Sequence, residues 1–154
     1  MAIQAGVEKV LIQKWAEEQT AEVKKKALGK RECARIYKEA YAAGLKAGEE
    51  AIPTPMIVGQ PTTPLGNDID FKKQTYFVSE GACGFAWVNI SPARGAFVTY
   101  LKSIDAGRKG YYGGFEIWVR EFGQSITRTE AFAGAFAQVL NSYGISASAG
   151  SRLD

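Results

Sequence analysis

The sequence contains no histidine, and only two of its 154 residues are cysteine. Without histidine the chain cannot form a Ser-His-Asp triad, most catalytic zinc sites or the usual pH switch near neutrality. The cysteines, Cys33 and Cys83, lie in segments of different character, so we expect two reduced, partly buried thiols. These residue types predict neither a bound metal nor another cofactor.

An excess of one charge is also lacking, because 19 lysines and arginines stand against 16 aspartates and glutamates. A dedicated nucleic-acid arm is far more lopsided, so we do not expect nucleic acid as the main partner. No apolar run approaches the length of a membrane helix, which predicts no membrane partner. The N-terminal residues carry acidic side chains throughout, so we do not expect secretion by a signal peptide.

Two helical segments come first in the chain. Apolar residues at spacings of three, four or seven predict a helix over residues 2–28, and Gly29 follows as a helix terminator. A second amphipathic pattern predicts a helix over residues 30–51. We interpret residues 1–51 as a helical N-terminal arm, either a hairpin or one long helix that bends through Gly29.

Small residues recur every four positions along the second helix. Glycine in a helix interior costs about 1 kcal/mol, so the close approach of another backbone should offset that cost. One interpretation is an oligomer interface formed by this seam and the aromatic side chains near it. Its residues are Trp15, Tyr37, Ala40, Tyr41, Gly44 and Gly48. The other interpretation is tight packing within the chain, against the first helix.

Four of the five prolines fall within residues 52–74, a stretch with no helical period. Proline fixes φ and pushes the residue before it into extended geometry. The composition therefore predicts an extended connector that separates two units or lies along a neighbouring surface.

Residues 75–154 have the pattern of a compact α+β domain. Strand-like alternation, a Ser-Pro helix start and a capping box from Thr127 to Glu130 mark its elements. The predicted strands cover 75–80, 83–90, 115–122 and 145–149, with one helix over 92–104 and another behind the capping box. A hairpin around Gly81 would pair the first two strands, which gives the order ββαβαβ and a two-layer sandwich.

Within these residues the segments GACGFAWVNISP, YYGGFEIWV, GQS, TEAFAGAFAQVL and GISASAGSRLD resemble a family of small proteins of tailed bacteriophages and prophages. The resemblance covers about residues 75–154, roughly half the chain. It implies a phage origin, one shared domain, and a location in the host cytoplasm or the virion. It implies no activity and carries over no catalytic residue.

The loop over residues 107–114 holds the densest group of polar and aromatic residues. Arg108 and Lys109 could neutralise a phosphate, and Tyr111 or Tyr112 could stack on a base. The loop is not a P-loop, because the Gly-x4-Gly-Lys-Ser/Thr pattern is absent. The alternative is a flexible connection with solvated side chains.

A second candidate anion site precedes the last predicted helix. Gln124 and Ser125 lie before the helix start, where free N–H groups favour an anion, and Arg128 is an unusual cation at that end. Arg152 would join them if the last strand lies centrally. The alternatives are a solvated Arg128 and a frayed C-terminus.

Three function classes are compatible with these features. The lack of a catalytic constellation and the helical seam favour a non-enzymatic assembly or interaction protein, which self-associates or docks on a phage structural protein. The polar loop supports a binder of small phosphate-bearing, nucleotide-like ligands that counters host signalling. An enzyme would have to use Cys83 or a carboxylate, and no catalytic residue is predicted.

Overall fold

The computed structural model describes residues 2–25 and 28–154, with side chains described for residues 7–18 and 28–154. These residues form an α+β fold, in agreement with the predicted class. The elements are α1 (Ala2–Lys25), α2 (Lys30–Glu50), β1 (Met56–Val58), β2 (Tyr76–Val78), β3 (Gly84–Ile90), α3 (Ala96–Ser103), β4 (Arg108–Lys109), β5 (Phe115–Trp118), α4 (Ile126–Ser142) and β6 (Ala147–Leu153).

The main sheet has four antiparallel strands in the order β4-β5-β3-β6. From β3 onward the chain therefore runs β-α-β-β-α-β, which is the split β-α-β arrangement. This differs from the predicted ββαβαβ order, because β2 lies outside this sheet and the short strand β4 was not expected. Strands β3 and β5 occupy the two central positions.

Alternation along β3 decides which side chains enter the core. Ala86, Val88 and Ile90 are buried, and Gly84 lies against the Ile126 side chain of α4. Successive residues of a strand point to opposite faces, so the intervening side chains of β3 lie on the other side of the sheet. Only one face of the sheet is therefore covered by α4.

Helix α4 forms a middle layer, because it packs on β3 and β6 and also on α2. Its buried residues recur every three or four positions and form one broad stripe, which is wide enough to contact both neighbours. They are Thr129, Phe132, Ala133, Phe136, Ala137 and Leu140. Helix α4 thus contacts the sheet and α2 at the same time.

The seam of small residues on α2 lies in this helix–helix contact. A Cβ atom on Gly44 would stand 2.9 Å from the Phe132 ring, and one on Gly48 would stand 2.2 Å from the Phe122 ring. Ala40, Gly44 and Gly48 are buried within the chain, which corrects their assignment to an oligomer interface. The packing partner is α4 rather than the first helix, so the predicted boundary between residues 1–51 and 75–154 cuts through one core.

The predicted hairpin and connector also need correction. Strand β2 pairs with β1, through Met56 opposite Val78 and Val58 opposite Tyr76, and not with β3. Residues 52–74 are therefore not one extended connector, since they contain β1 and a folded loop held by a bridge between Pro61 and Ile69. Proline has no backbone N–H group to donate. At the edge of this small sheet, prolines therefore remove few hydrogen bonds between the strands.

The N-terminal arm consists of two helices and not one continuous helix, because Gly29 adopts an extended conformation with φ −74° and ψ 163°. In the described part of the chain, α1 has no extensive contact with another helix or strand. All side chains of residues 7–18 are exposed.

The N-cap of helix α4 lies two residues before the one that the predicted capping box implies. Ser125 is the N-cap residue, so Thr127 and Glu130 lie inside the helix. The Thr129 hydroxyl donates to the carbonyl of Ser125 at 2.9 Å, and Glu130 accepts a hydrogen bond from Ser151 of β6 at 2.6 Å. Glu130 therefore ties the helix to the sheet instead of capping it.

The tight contact at Gly44 predicts a strong effect of a larger side chain. We expect Gly44→Leu to lower the free energy of unfolding by about 3 kcal/mol, because Phe132 is buried and cannot move aside. Gly134→Leu is the matched control, since a Cβ there meets nothing within 4 Å and helix propensity improves by up to about 1 kcal/mol. Urea unfolding of both variants measures the difference, and equal stabilities would contradict this packing.

Candidate functional site

The face of the sheet that α4 does not cover carries an unusual set of side chains. Phe85 and Trp87 of β3 lie on it, and Trp118 stands directly opposite Trp87 on β5. Arg108 of β4 and Arg152 of β6 lie at its two sides. We call these five residues the aromatic–arginine face.

The three aromatic rings form a continuous layer over the two central strands. Trp87 and Trp118 stack with ring centroids 4.9 Å apart, and Phe85 lies 6.4 Å from Trp118. Trp87 also lies over Gly150, where a Cβ would come within 2.6 Å of the indole. Each ring is half-buried, so part of its surface is open to solvent. The face is therefore apolar at its centre.

Both arginines contact this aromatic layer. The guanidinium carbon of Arg108 lies 4.9 Å from the Trp118 centroid, and that of Arg152 lies 5.4 Å from Phe85 and 5.8 Å from Trp118. Such cation–π contacts are worth about 0.5–1 kcal/mol at exposed sites. They also hold the two positive charges at fixed places beside the rings.

Polar side chains close one end of the face. The carboxylate of Glu116 is buried and accepts a hydrogen bond from the indole nitrogen of Trp118 at 3.0 Å. Asn89 stands opposite Glu116 in the β3–β5 register and donates to the carbonyl of Gly113 at 3.0 Å. These bonds fix the Trp118 ring and attach the β4–β5 turn to the sheet.

A groove of about 770 Å³ continues from the face around the end of β5. Strand β4 pairs only with the first half of β5, which leaves the edge near residues 117–120 without a strand partner in the described chain. Tyr41 of α2 closes the far side by donating a hydrogen bond to Glu121 at 2.5 Å. The groove thus lies between the sheet edge and α2.

The structure separates the predicted ligand-binding residues into two groups. Arg108 and Arg152 come together on the face, because β6 extends to Leu153 and places Arg152 opposite Phe85. Lys109, Tyr111 and Tyr112 lie on the β4–β5 hairpin beside them, and all three are exposed.

The second group lies at the start of α4, and its predicted anion site is not supported. Arg128 is engaged within the chain, because it pairs with Glu80 at 2.7 Å and donates to the carbonyls of Gly48 and Glu49 at 2.8 and 3.0 Å. Ser125 is buried, and its hydroxyl donates to the Glu80 carbonyl at 3.2 Å. The backbone carbonyl of Gln124 accepts a hydrogen bond from Gly84. Arg128 serves as the C-terminal cap of α2, where a cation is favourable.

Two aromatic residues predicted for the oligomer interface pack inside the chain instead. The Tyr37 ring contacts Phe136 at a centroid distance of 5.8 Å, and the Tyr41 ring contacts Phe132 at 5.5 Å. Of the predicted interface residues, Trp15 is the one that the structure leaves largely exposed, at 64%. It lies on α1 beside Leu11, which is 60% exposed.

Phe85, Trp87 and Trp118 are the functional candidates that the sequence analysis missed. Their signal is present, since residues 83–90 are apolar at both odd and even positions. A strand of an antiparallel sheet usually has one polar face. An aromatic second face on a central strand therefore indicates either a covering layer or a ligand.

The cysteines differ in environment and are not bonded to each other. Cys33 is buried against the core, and that burial raises the pKa of its thiol. Cys83 is exposed just before β3, which corrects its expected place among buried side chains. Among the described residues, no group of three or more Cys, Asp or Glu side chains is arranged to hold a metal ion.

Comparison of the chain with protein-family models, curated proteins and solved structures finds no match. None of the helices in the described ranges is both long enough and apolar enough to cross a membrane.

The Tyr41–Glu121 hydrogen bond predicts a measurable titration. It raises the pKa of Tyr41 to about 12, with desolvation as a smaller cause, whereas an unfolded tyrosine titrates near about 10. Because the folded pKa is the higher one, this bond contributes fully to stability below about pH 10 and its contribution is lost as the pH rises towards 12. Ultraviolet titration of wild type and Glu121→Gln checks it: the highest tyrosine pKa should fall in the variant, and an unchanged titration would contradict the assignment.

Proposed function

We propose that the protein is a non-enzymatic binder of small, planar, phosphate-bearing ligands, and that the ligand lies on the aromatic–arginine face. The observation that carries this proposal is the position of Arg108 and Arg152, which flank three half-buried aromatic rings on an uncovered sheet. A nucleotide combines a planar base with a phosphate and therefore matches both parts of the face.

The chemistry of each part supports this assignment. A guanidinium that stacks on a ring still presents its N–H groups at the edge, where they can bind phosphate oxygens in pairs. The open parts of Phe85, Trp87 and Trp118 offer surface on which a base can stack, an interaction that accepts any base. Glu116 and Asn89 provide fixed polar groups at the end of the face.

The resemblance of residues 75–154 to small phage proteins gives this activity a setting. A phage protein that sequesters nucleotide-like molecules in the host cytoplasm would counter host signalling. Binding alone suffices for that role, so no catalytic residue is assigned.

The two arginines provide the direct test. We expect Arg108→Ala and Arg152→Ala each to weaken binding of AMP or ATP about tenfold or more, because each variant loses charge-assisted hydrogen bonds to phosphate. Quenching of tryptophan fluorescence measures the affinity, since two indoles lie in the face.

Arg94→Ala is the matched control, because it removes the same charge from an exposed position before α3. Thermal melts should show only small stability losses, about 0.5–1 kcal/mol for each lost cation–π contact. Equal nucleotide affinity in all three variants would remove the face from consideration.

A second function is favoured by a separate observation on α1. Five of its large apolar side chains are each more than half exposed, namely Val7, Val10, Leu11, Ile12 and Trp15. Three of them, Val7, Leu11 and Trp15, recur every fourth residue along one side of the helix. This surface supports the proposal of an assembly or interaction protein, in which α1 docks on a second copy or on a phage structural protein in the virion.

Charge substitutions on α1 separate this surface from the rest of the helix. We expect Leu11→Glu or Trp15→Glu to convert an assembly into the 16.7 kDa monomer, because a carboxylate would enter an apolar contact. Gln13→Glu is the matched control, since two residues turn the helix by about 200° away from Leu11. Light scattering measures the mass, and a wild-type chain that is already monomeric would argue against self-assembly.

A further inference from the structure

The β4–β5 hairpin carries two of the most exposed aromatic side chains of the described chain. Tyr111 is 91% exposed and Tyr112 is 96% exposed, and their rings meet edge to face at 4.9 Å. Neither belongs to the core or to the aromatic–arginine face. They stand at the tip of the turn between Arg108 and Trp118, which do belong to that face.

The turn that presents these tyrosines is held in one conformation. The N–H of Gly110 donates to the Gly114 carbonyl at 2.9 Å, and the N–H of Gly113 donates to the Gly110 carbonyl at 3.2 Å. Gly113 and Gly114 have φ values of 103° and 76°, which other residues rarely adopt. Because the backbone of the turn is already ordered, a ligand that contacts the tip causes little further loss of backbone entropy in the turn.

The same turn adjoins the aromatic–arginine face. The Asn89 side chain, which lies on that face two residues beyond Trp87, donates to the carbonyl of Gly113. The rings thus follow one another from Phe85 beside Arg152, through Trp87 and Trp118, to the hairpin tip. Along β3 alone, Phe85 to Asn89 spans about 13 Å.

We propose that the ligand is a single-stranded oligonucleotide, which stacks bases on the sheet and reaches the tyrosines of the hairpin. This inference rests on the proposed ligand-binding function and names its ligand class. The stacked Trp87–Trp118 pair, Phe85 and the two tyrosines at the tip offer contacts for roughly two to four bases. A duplex does not fit this mode, because its bases are already stacked on one another.

Local charge supports a modest electrostatic contribution. Arg108 and Arg152 are exposed on the aromatic–arginine face, and the Glu116 carboxylate is buried. Two cations can neutralise one or two phosphates, so the slope of log K against log salt should be about −1. The whole chain has a nearly even charge balance, which argues against nucleic acid as the main partner. A count of charges over the whole chain does not detect a local group of cations such as this one.

Fluorescence anisotropy with labelled ten-nucleotide single strands of DNA and RNA tests the inference, with AMP measured in parallel. We expect the strand to bind at least tenfold more tightly than AMP. Tyr111→Ala and Tyr112→Ala should each weaken strand binding about 5- to 150-fold, the range for one stacked base, while leaving AMP binding unchanged. Tyr76→Ala is the matched control, because Tyr76 is also exposed but lies on the other sheet.

The outcomes separate this inference from the function on which it rests. If AMP binds through Arg108 and Arg152 but the single strand binds no more tightly, the oligonucleotide inference is wrong and the small-ligand proposal stands. If neither probe binds, both are wrong. Equal binding of duplex and single strand, or equal losses for Tyr76→Ala and the hairpin variants, would also overturn the inference.

Discussion

The packing of α4 on both of its sides is the constraint on which the rest of the structure depends. One side of the helix covers β3 and β6, and the other receives α2. Burial of a phenylalanine contributes about 1.5–3 kcal/mol, and Phe132 and Phe136 are both buried in this layer. That gain offsets the roughly 1 kcal/mol that each helical glycine of α2 costs. Gly44 and Gly48 are therefore best explained by the aromatic rings that occupy the space a side chain would fill.

This arrangement determines which surfaces remain free. Because α2 stacks on α4 and not on the sheet, no helix of the described chain packs extensively on the opposite sheet face. A solvated face of an antiparallel sheet ordinarily carries polar side chains. Here its two central strands carry Phe85, Trp87 and Trp118, and the arginines at its sides contact them. Aromatic surface that is left partly exposed between two arginines contributes less to folding than a covered core would, and this is the reason for proposing the face as a binding surface.

Local patterns predicted most helices and strands, but not how they pair. The residue pattern at 76–78 allows pairing with β1 or with β3. In the structure this segment pairs with β1, and the folded loop over residues 59–75 connects the two strands. Arg128 was predicted as an anion ligand because it stands at a helix start, whereas its partners are carbonyls at the end of another helix. Strand β6 was expected over 145–149, and the next residue, Gly150, has a low strand propensity. Seven ladder positions with β3 override that preference and bring Arg152 to the face.

The two free surfaces, α1 and the aromatic–arginine face, make no extensive contact with each other in the described chain. The large apolar side chains of α1 are more than half exposed, whereas the rings of the face are half-buried and are contacted by Arg108 and Arg152. An exposed apolar helix face suits a protein contact, and rings beside cations suit a phosphate-bearing ligand. A ligand on the face and a protein contact through α1 are therefore compatible proposals for one molecule.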